Sequence, residues 1–385
     1  MFDFRRAHIP CVIIHGLTKN ITYDAGAKVT GTKNKGTWNA VHVDGNWRLV
    51  HPLWGSRAAP GYATGRWGLV TDSTLVPDNN DPWTTESAPI TNEFYFLTDP
   101  AKFVTKCFPD HQVWQLLESP ISRPEFEDMP FFQPAYYDLK LEEENHQSCV
   151  VHTENGVCEL VFAFPPEREK RYSFSFKLHA RREHDVEGEY DLQPLHRYCY
   201  SYRFENKQYF HFRFPYNGVF KLDIYCKNDK RALLSDWVAE YKIICTDTNA
   251  NVKPLPITPK IGWGPTDALD THGMSCLTHK NALVSLDGDD ATFIRFGLPK
   301  DKNVRIEADL VTLGMSRDAM KDHVTVEVDG ETAAVQVAPP GEGEYALQVY
   351  VIDDGHRTNV CNFLMTRTKI VEVCLQCGYL CNCIT

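Results

Sequence analysis

A chain of 385 residues, 43% hydrophobic and 12% aromatic, can bury the cores of two or three domains and is too apolar for general disorder. Its formal net charge of −11 argues against a nucleic-acid partner, which needs a basic surface to displace counterions, and leaves protein partners open. The start, Met1-Phe2-Asp3-Phe4-Arg5-Arg6, lacks the form of a secretion signal, and no apolar stretch approaches a membrane span. The 13 scattered cysteines therefore read as reduced cytosolic thiols rather than a disulfide framework.

The first element is the apolar run Ile9 to Ile14, read as a strand in which the thiol of Cys11 packs inertly. His15 and Lys19 follow as candidate polar rim residues. From Trp38 to Trp54 the chain reads as a β-hairpin: Trp38, Ala40 and His42 alternate with Asn39, Val41 and Val43, and Asp44-Gly45 is a two-residue turn signal of type I′. A two-residue loop sets Val43 opposite Asn46 and hence Trp38 opposite His51. Position 36 then lies on the same face, diagonal to His51, about 7–8 Å away. A His at 36 and an acid at 51 would form the base and orienter of a catalytic triad. The chain has Gly36 and His51 instead. His42 shares that face but sits about 20 Å from position 36 along the strand.

Residues 56 to 92 are rich in Pro, Gly, Asp, Asn, Ser and Thr and read as a wrap-around loop, with Trp67 and Trp83 pinning it to a neighbouring surface. Asp99-Pro100 predicts a short helix reaching about Cys107, and Ser122 with Glu125 has capping-box spacing.

The second half repeats itself. Pro215, Gly218, Phe220, Leu222, Ile224 and Tyr225 recur as Pro340, Gly343, Tyr345, Leu347, Val349 and Tyr350, an offset of 125 residues. Apolar residues alternate in each copy, and the spacing suits one β-sandwich per copy. The acidic turns Glu183 to Glu189 and Leu286 to Asp290 lack the ligand pattern of a calcium loop. The alternating Tyr198, Tyr200 and Tyr202 read as core packing or as a partner surface, with packing the favoured reading. At the end, Cys374, Cys377, Cys381 and Cys383 are weak candidates for zinc, because a structural site draws its ligands from separated knuckles. The leading reading there is an unstructured tail. No cofactor is expected.

The hairpin resembles the transglutaminase-like core of the kyphoscoliosis peptidase and hillarin family. That family typically reads His-Ala-Trp-Asn-Ala-Val, then Trp-x-Leu-Val-Asp-x-x-Trp-Gly. Trp38, Asn39, Trp47 and Trp54 carry the structural signature, and the resemblance runs from about residue 7 to 140. It implies that the family's catalytic His falls on Gly36, its Asp on His51, and its nucleophile Cys before Met1. The expected fold is therefore α+β: a transglutaminase-like (papain-like) core fragment, degenerate and N-terminally truncated, followed by two all-β immunoglobulin-like sandwiches. The expected domains are 1–57 (core), 58–136 (connector with short helices), 137–250 and 262–370 (sandwiches), and 371–385 (Cys-rich tail). Cys11, His42 and His51 are weak substitutes for the missing catalytic groups.

Two functions follow from the resemblance. One is a catalytically inactive, cytoplasmic scaffold with protein partners, cytoskeletal in some members. The other is a cysteine-type peptidase or protein-glutamine acyltransferase whose nucleophile lies upstream. The oligomeric state is left open.

Overall fold

The structure is a computed structural model. It describes residues 4, 6–20, 22–56, 92–180, 195–229, 235–249, 251–259, 261–288, 291–300, 304–353 and 355–368. Trp67, Trp83, the 183–189 turn, residues 289 and 290, and all four tail cysteines lie outside these. The chain divides into two compact units, Met1–Glu189 with Tyr216–Ala250, and Tyr190–Pro215 with Asn251–Thr385.

The first unit opens with strands β1 (Cys11–Thr18), β2 (Lys35–Val43), β3 (Asn46–Val50) and β4 (Cys107–Pro109), an antiparallel sheet in the order β3-β2-β1-β4. Val43 pairs with Asn46 and Asn39 with Val50, the register that the two-residue turn dictates. Asp44 (φ 51°) and Gly45 (φ 76°) both take the left-handed conformation a type I′ turn demands. One face of this sheet, with Ile14, Trp38, Ala40 and Leu49, packs with Tyr95, Phe103 and Cys107 into a small core.

An α+β core is not what forms around this sheet. The described residues are nearly all β, and no helix among them exceeds six residues. Between 92 and 140 the reason is visible in the chain. Pro100, Pro124 and Pro134 each sit in a first helical turn, and Pro109, Pro120 and Pro130 interrupt what lies between. A proline removes a backbone donor and clashes with the preceding turn, so each helix starts well and cannot propagate. The Asp99-capped helix spans only Pro100–Phe103, and the capping box of Ser122 and Glu125 opens Arg123–Asp128.

The first unit continues with β5 (Phe131–Phe132), β6 (Glu142–Glu143), β7 (Val150–His152), β8 (Val157–Ala163) and β9 (Ser173–Ala180). The hairpin β10 (Cys199–Phe204) and β11 (Lys207–Arg213) belongs to the second unit. The chain then returns through β12 (Gly218–Lys227) and β13 (Asp236–Cys245). These strands form a sheet in the order β5-β13-β12-β9, and β7 runs parallel to β13 on the same edge as β5. Across it β6 pairs with β8, and the Phe162 ring of β8 lies 6.5 Å from Tyr241.

The second unit repeats this plan. Its strands are β14 (Gly264–Pro265), β15 (Ser275–Cys276), β16 (Leu283–Asp287), β17 (Thr292–Gly297), β18 (Arg305–Thr312), β19 (Val324–Asp329), β20 (Thr332–Val337), β21 (Gly343–Asp353) and β22 (His356–Thr368). One sheet runs β14-β22-β21-β18 with β16 parallel to β22; the other runs β15-β17-β20-β19. Both copies carry a β-bulge at the same point, between Ile224 and Tyr225 and between Val349 and Tyr350. Tyr200 and Tyr202 are buried against Trp263, Leu255, Ala282 and Leu364.

Candidate functional site

A cleft of about 620 Å³ opens beside the hairpin, lined in part by His15, Thr18, Gly36, His51, Trp54 and Asp110. It contains the two positions where register arithmetic would place a base and its acid. Gly36 pairs with Gly16 across β1 and β2. A Cβ on Gly16 would meet the carbonyl oxygen of Phe108 at 2.1 Å, so β4 can approach β1 only because residue 16 is glycine. A Cβ on Gly36 would sit 2.2 Å from Cγ2 of Thr18. Thr18 is held there: its hydroxyl donates to the Asn34 carbonyl at 3.1 Å, and the Asn34 amide donates back to the Thr18 carbonyl at 3.2 Å. The place for a histidine is therefore filled by a threonine methyl. Sequence reading identified Gly36 but missed Thr18 and Asn34, because nothing local marks a contact between strands.

His51 is buried and sandwiched between aromatic rings. Its ring stacks on Trp54 at 4.2 Å and lies 6.4 Å from Trp38 and 6.0 Å from Tyr95. Its backbone N–H donates to the Tyr95 carbonyl, and its Nδ1 accepts from the Trp54 N–H at 3.2 Å. A nitrogen that accepts a hydrogen bond carries no proton, so the hydrogen sits on Nε2. Burial pushes the pKa of His51 down to about 4. The imidazole is neutral at physiological pH and acts as a packed ring.

The other candidates are not brought together. Cys11 is half-buried and pairs with Val41, so both side chains share the face opposite His42. Along the strand Cys11 lies three residues from Ile14, the partner of Trp38, or about 10 Å. His42 faces Trp47, with ring centroids 5.3 Å apart, and Trp47 meets Trp114 at the same distance. The signature residues are structural: Trp38 is buried, and the Asn39 amide donates to the Val12 carbonyl. His15 is exposed, its Nδ1 3.1 Å from the Thr37 hydroxyl.

Lys19 is not the rim residue its charge suggested. It is buried, donates to the Met129 carbonyl at 3.1 Å, and lies 4.9 Å over the Phe126 ring. Burial lowers its pKa to about 8. It precedes a strap, residues 22–29, bound by polar contacts on both sides. Tyr23 donates to the Glu127 carbonyl, the Val29 N–H to Glu127 Oε1, and the Ala25 N–H to Glu240 Oε1 at 2.7 Å. Among the described residues no group of three His, Cys, Asp or Glu is placed to hold a metal ion.

A family profile, the KY-like, immunoglobulin-like domain, matches residues 123–256 and again 270–377, more than half of the chain. The chain belongs to this family. Its two matched stretches each contain one copy of the repeated hairpin. Curated relatives include hillarin of Drosophila melanogaster, 28% identical over 91% of this chain and 42% of its own length. The Lim and transglutaminase domain protein ltd-1 of Caenorhabditis elegans is 26% identical over 92% of this chain and 48% of its own. The kyphoscoliosis peptidase of Mus musculus is 25% identical over 95% and 50%. The chain thus spans about half the length, or less, of the curated relatives it matches. Among solved structures, the titin domains z1z2 in complex with telethonin align with 57% of this chain and 91% of theirs, at 7% identity and a TM-score of only 0.19. The family match and the sheets correct the expected fold class: the modules that can be assigned are immunoglobulin-like, without an α+β transglutaminase core. No helix among the described residues is long and apolar enough to cross a membrane.

Proposed function

We propose that this chain is a non-catalytic interaction scaffold of the cytoplasm, associated with the cytoskeleton, whose hairpin module and two sandwiches present surfaces to protein partners. The domain limits 1–57, 58–136, 137–250, 262–370 and 371–385 belong to the same proposal. The observation that carries the reading is the state of the cleft. Gly36 is closed off by Thr18, and His51 is a neutral ring whose Nδ1 is already occupied by Trp54. A thiol attack needs a base within hydrogen-bond reach and an orienter behind it, and positions 36 and 51 supply neither.

The rival reading is a cysteine-type peptidase or protein-glutamine acyltransferase completed by a nucleophile outside this chain. It draws support from the names of relatives whose length this chain covers by half or less. Labelling the folded chain with an iodoacetamide probe at neutral pH tests the non-catalytic reading. The expected result is uniformly slow labelling. One thiol reacting much faster than free cysteine, and slowed by His42→Ala or His51→Ala, would overturn it.

The closure of the cleft has its own test. Gly36→Ala is expected to lower stability by about 1–3 kcal/mol through overpacking against Thr18. Thr18→Ser removes the methyl and keeps the hydroxyl, so in Gly36→Ala/Thr18→Ser the two costs should fail to add. Additive losses in urea titrations would mean that Thr18 does not close the site.

A further inference from the structure

Residues 24–26 of the strap lie on the outer face of β12 and β13, over a charged patch. Antiparallel register places Asp223 directly opposite Glu240 and Lys221 opposite Lys242. Like charges directly opposite one another repel. Both carboxyl groups are nonetheless buried, with Asp223 4% and Glu240 1% exposed. Residues directly opposite in an antiparallel pair have Cβ atoms about 4.5–5.5 Å apart, and two carboxyl groups buried that close repel unless a proton lies between them.

The surroundings explain how the pair is held. Glu240 Oε1 accepts the Ala25 N–H at 2.7 Å. Glu240 Oε2 has no hydrogen-bond donor in good geometry but stands 3.0 Å from the Lys221 ammonium, which also donates to Asp24 at 3.0 Å. On β9, His179 approaches Asp223 to 3.8 Å, and Lys177 stands opposite Asp223 in register. On β12 the phenol of Tyr225 follows on the same face, and Lys106, just before β4, has its charge disfavoured by burial. Burial drives both carboxyls above their ordinary range, against the pull of Lys221. A cleft of about 440 Å³, lined by Asp24, Gly26, His179, Lys221, Glu240 and Lys242, opens onto the site and gives protons a route.

We propose that Asp223 and Glu240 share one proton and form a latch, which grips the strap at Ala25 while the proton is present and loosens when it leaves. Loss of the proton leaves two buried carboxylates face to face with one ammonium between them. Glu240, the one that lines the cleft, can relieve the repulsion by turning toward water. It then gives up the Ala25 N–H and frees the strap from the first sandwich.

The second copy of the repeat is an internal control. Its equivalent of Asp223 is Gln348, which pairs in register with Asn362, and both are fully buried. Gln348 donates to the Ile257 carbonyl at 2.7 Å and Asn362 to the Gly262 carbonyl at 2.8 Å. The same position thus grips an upstream segment in both copies, with amides in one and with a protonatable pair in the other.

Amide hydrogen exchange of the full chain between pH 6 and 8.5 tests the latch, each rate being referred to an unstructured peptide at the same pH. Protection at residues 23–29 is expected to fall at least tenfold as pH rises through neutrality, while residues 255–263 keep theirs. Asp223→Asn and Glu240→Gln should each flatten the response, and His179→Gln should preserve it. Flat protection in the wild type, a fall that survives both carboxyl variants, or one abolished by His179→Gln would overturn the proposal. Carbon-13 titration of the wild-type carboxyl groups serves if a variant fails to fold. A transition near neutrality shared by Asp223 and Glu240 is expected, and titration of both within the ordinary acidic range would overturn it.

Discussion

The two sandwiches share a central hairpin, a bulge at the same residue and a parallel strand on the same edge. They differ in the polar pair at the middle of that hairpin. Glu240 of the first pair accepts from a backbone N–H, whereas Gln348 and Asn362 donate to backbone carbonyls. An amide pair satisfies itself at any pH, and the phenol of Tyr350 completes it by donating to Gln348 at 2.7 Å. A carboxyl pair is satisfied only with a proton and a nearby cation. One architectural position therefore carries two kinds of fastening, and the chemistry of the pair decides whether solution conditions can act on it.

The largest effect should come from removing one partner on each side. Glu240→Ala leaves Asp223 buried and the Ala25 N–H unpaired, and should cost about 3–5 kcal/mol. Asn362→Ala strands one carbonyl and should cost about 1–3 kcal/mol. Equal losses in denaturant titrations would break the comparison.

Next in size is the pH response. Glu240 in the folded unit titrates near 7, above its ordinary 4.5, because burial disfavours its charge. A raised carboxyl pKa means that the folded state holds the proton more tightly than the unfolded chain does. Its contribution is complete below about 4.5 and is lost as pH rises through about 7. The urea midpoint of the first unit should fall over that window beyond any change in the second. Parallel curves would show that the pair does not govern stability.

Gln348→Glu transplants the device. The second unit should lose about 1–3 kcal/mol at neutral pH by burying an acid, and should recover part of it as pH falls. A pH-independent loss would mean that the site lacks room for the protonated form. Smallest of all is the reverse exchange: Asp223→Gln with Glu240→Asn should change stability at pH 6 by less than about 1 kcal/mol and remove the response above it. A retained response would place the titrating group elsewhere, with His179 the first to be examined.

Local chemistry made the hairpin legible. Asp44-Gly45 dictates the turn, the turn dictates the register, and the register put Trp38 beside His51, where the structure has them. The repeat was legible because alternation at a fixed offset survives even where residues differ. The surroundings of the hairpin were not. Its Trp-framed signature suggested an α+β core, and the prolines between 100 and 134 break the helices that such a core would need. Lys19 looks from the sequence like a rim residue, and nothing local marks Asp223 and Glu240 as buried. The backbone N–H that meets Glu240 comes from a strap 215 residues away, and no window of sequence contains that distance. Thr18 against Gly36 was hidden for the same reason on a shorter scale.

The reach of that strap sets a timetable for the nascent chain. Ala25 leaves the ribosome long before its acceptor Glu240 exists, and at roughly 5–20 residues per second the wait is about ten to forty seconds. Lys19 and Tyr23 can reach Phe126, Glu127 and Met129 about halfway through that interval, but the Ala25 N–H has no acceptor until its end. The first unit is consequently the part of the molecule that a chaperone would hold longest, and it closes only when a strand made late arrives to receive a segment made early.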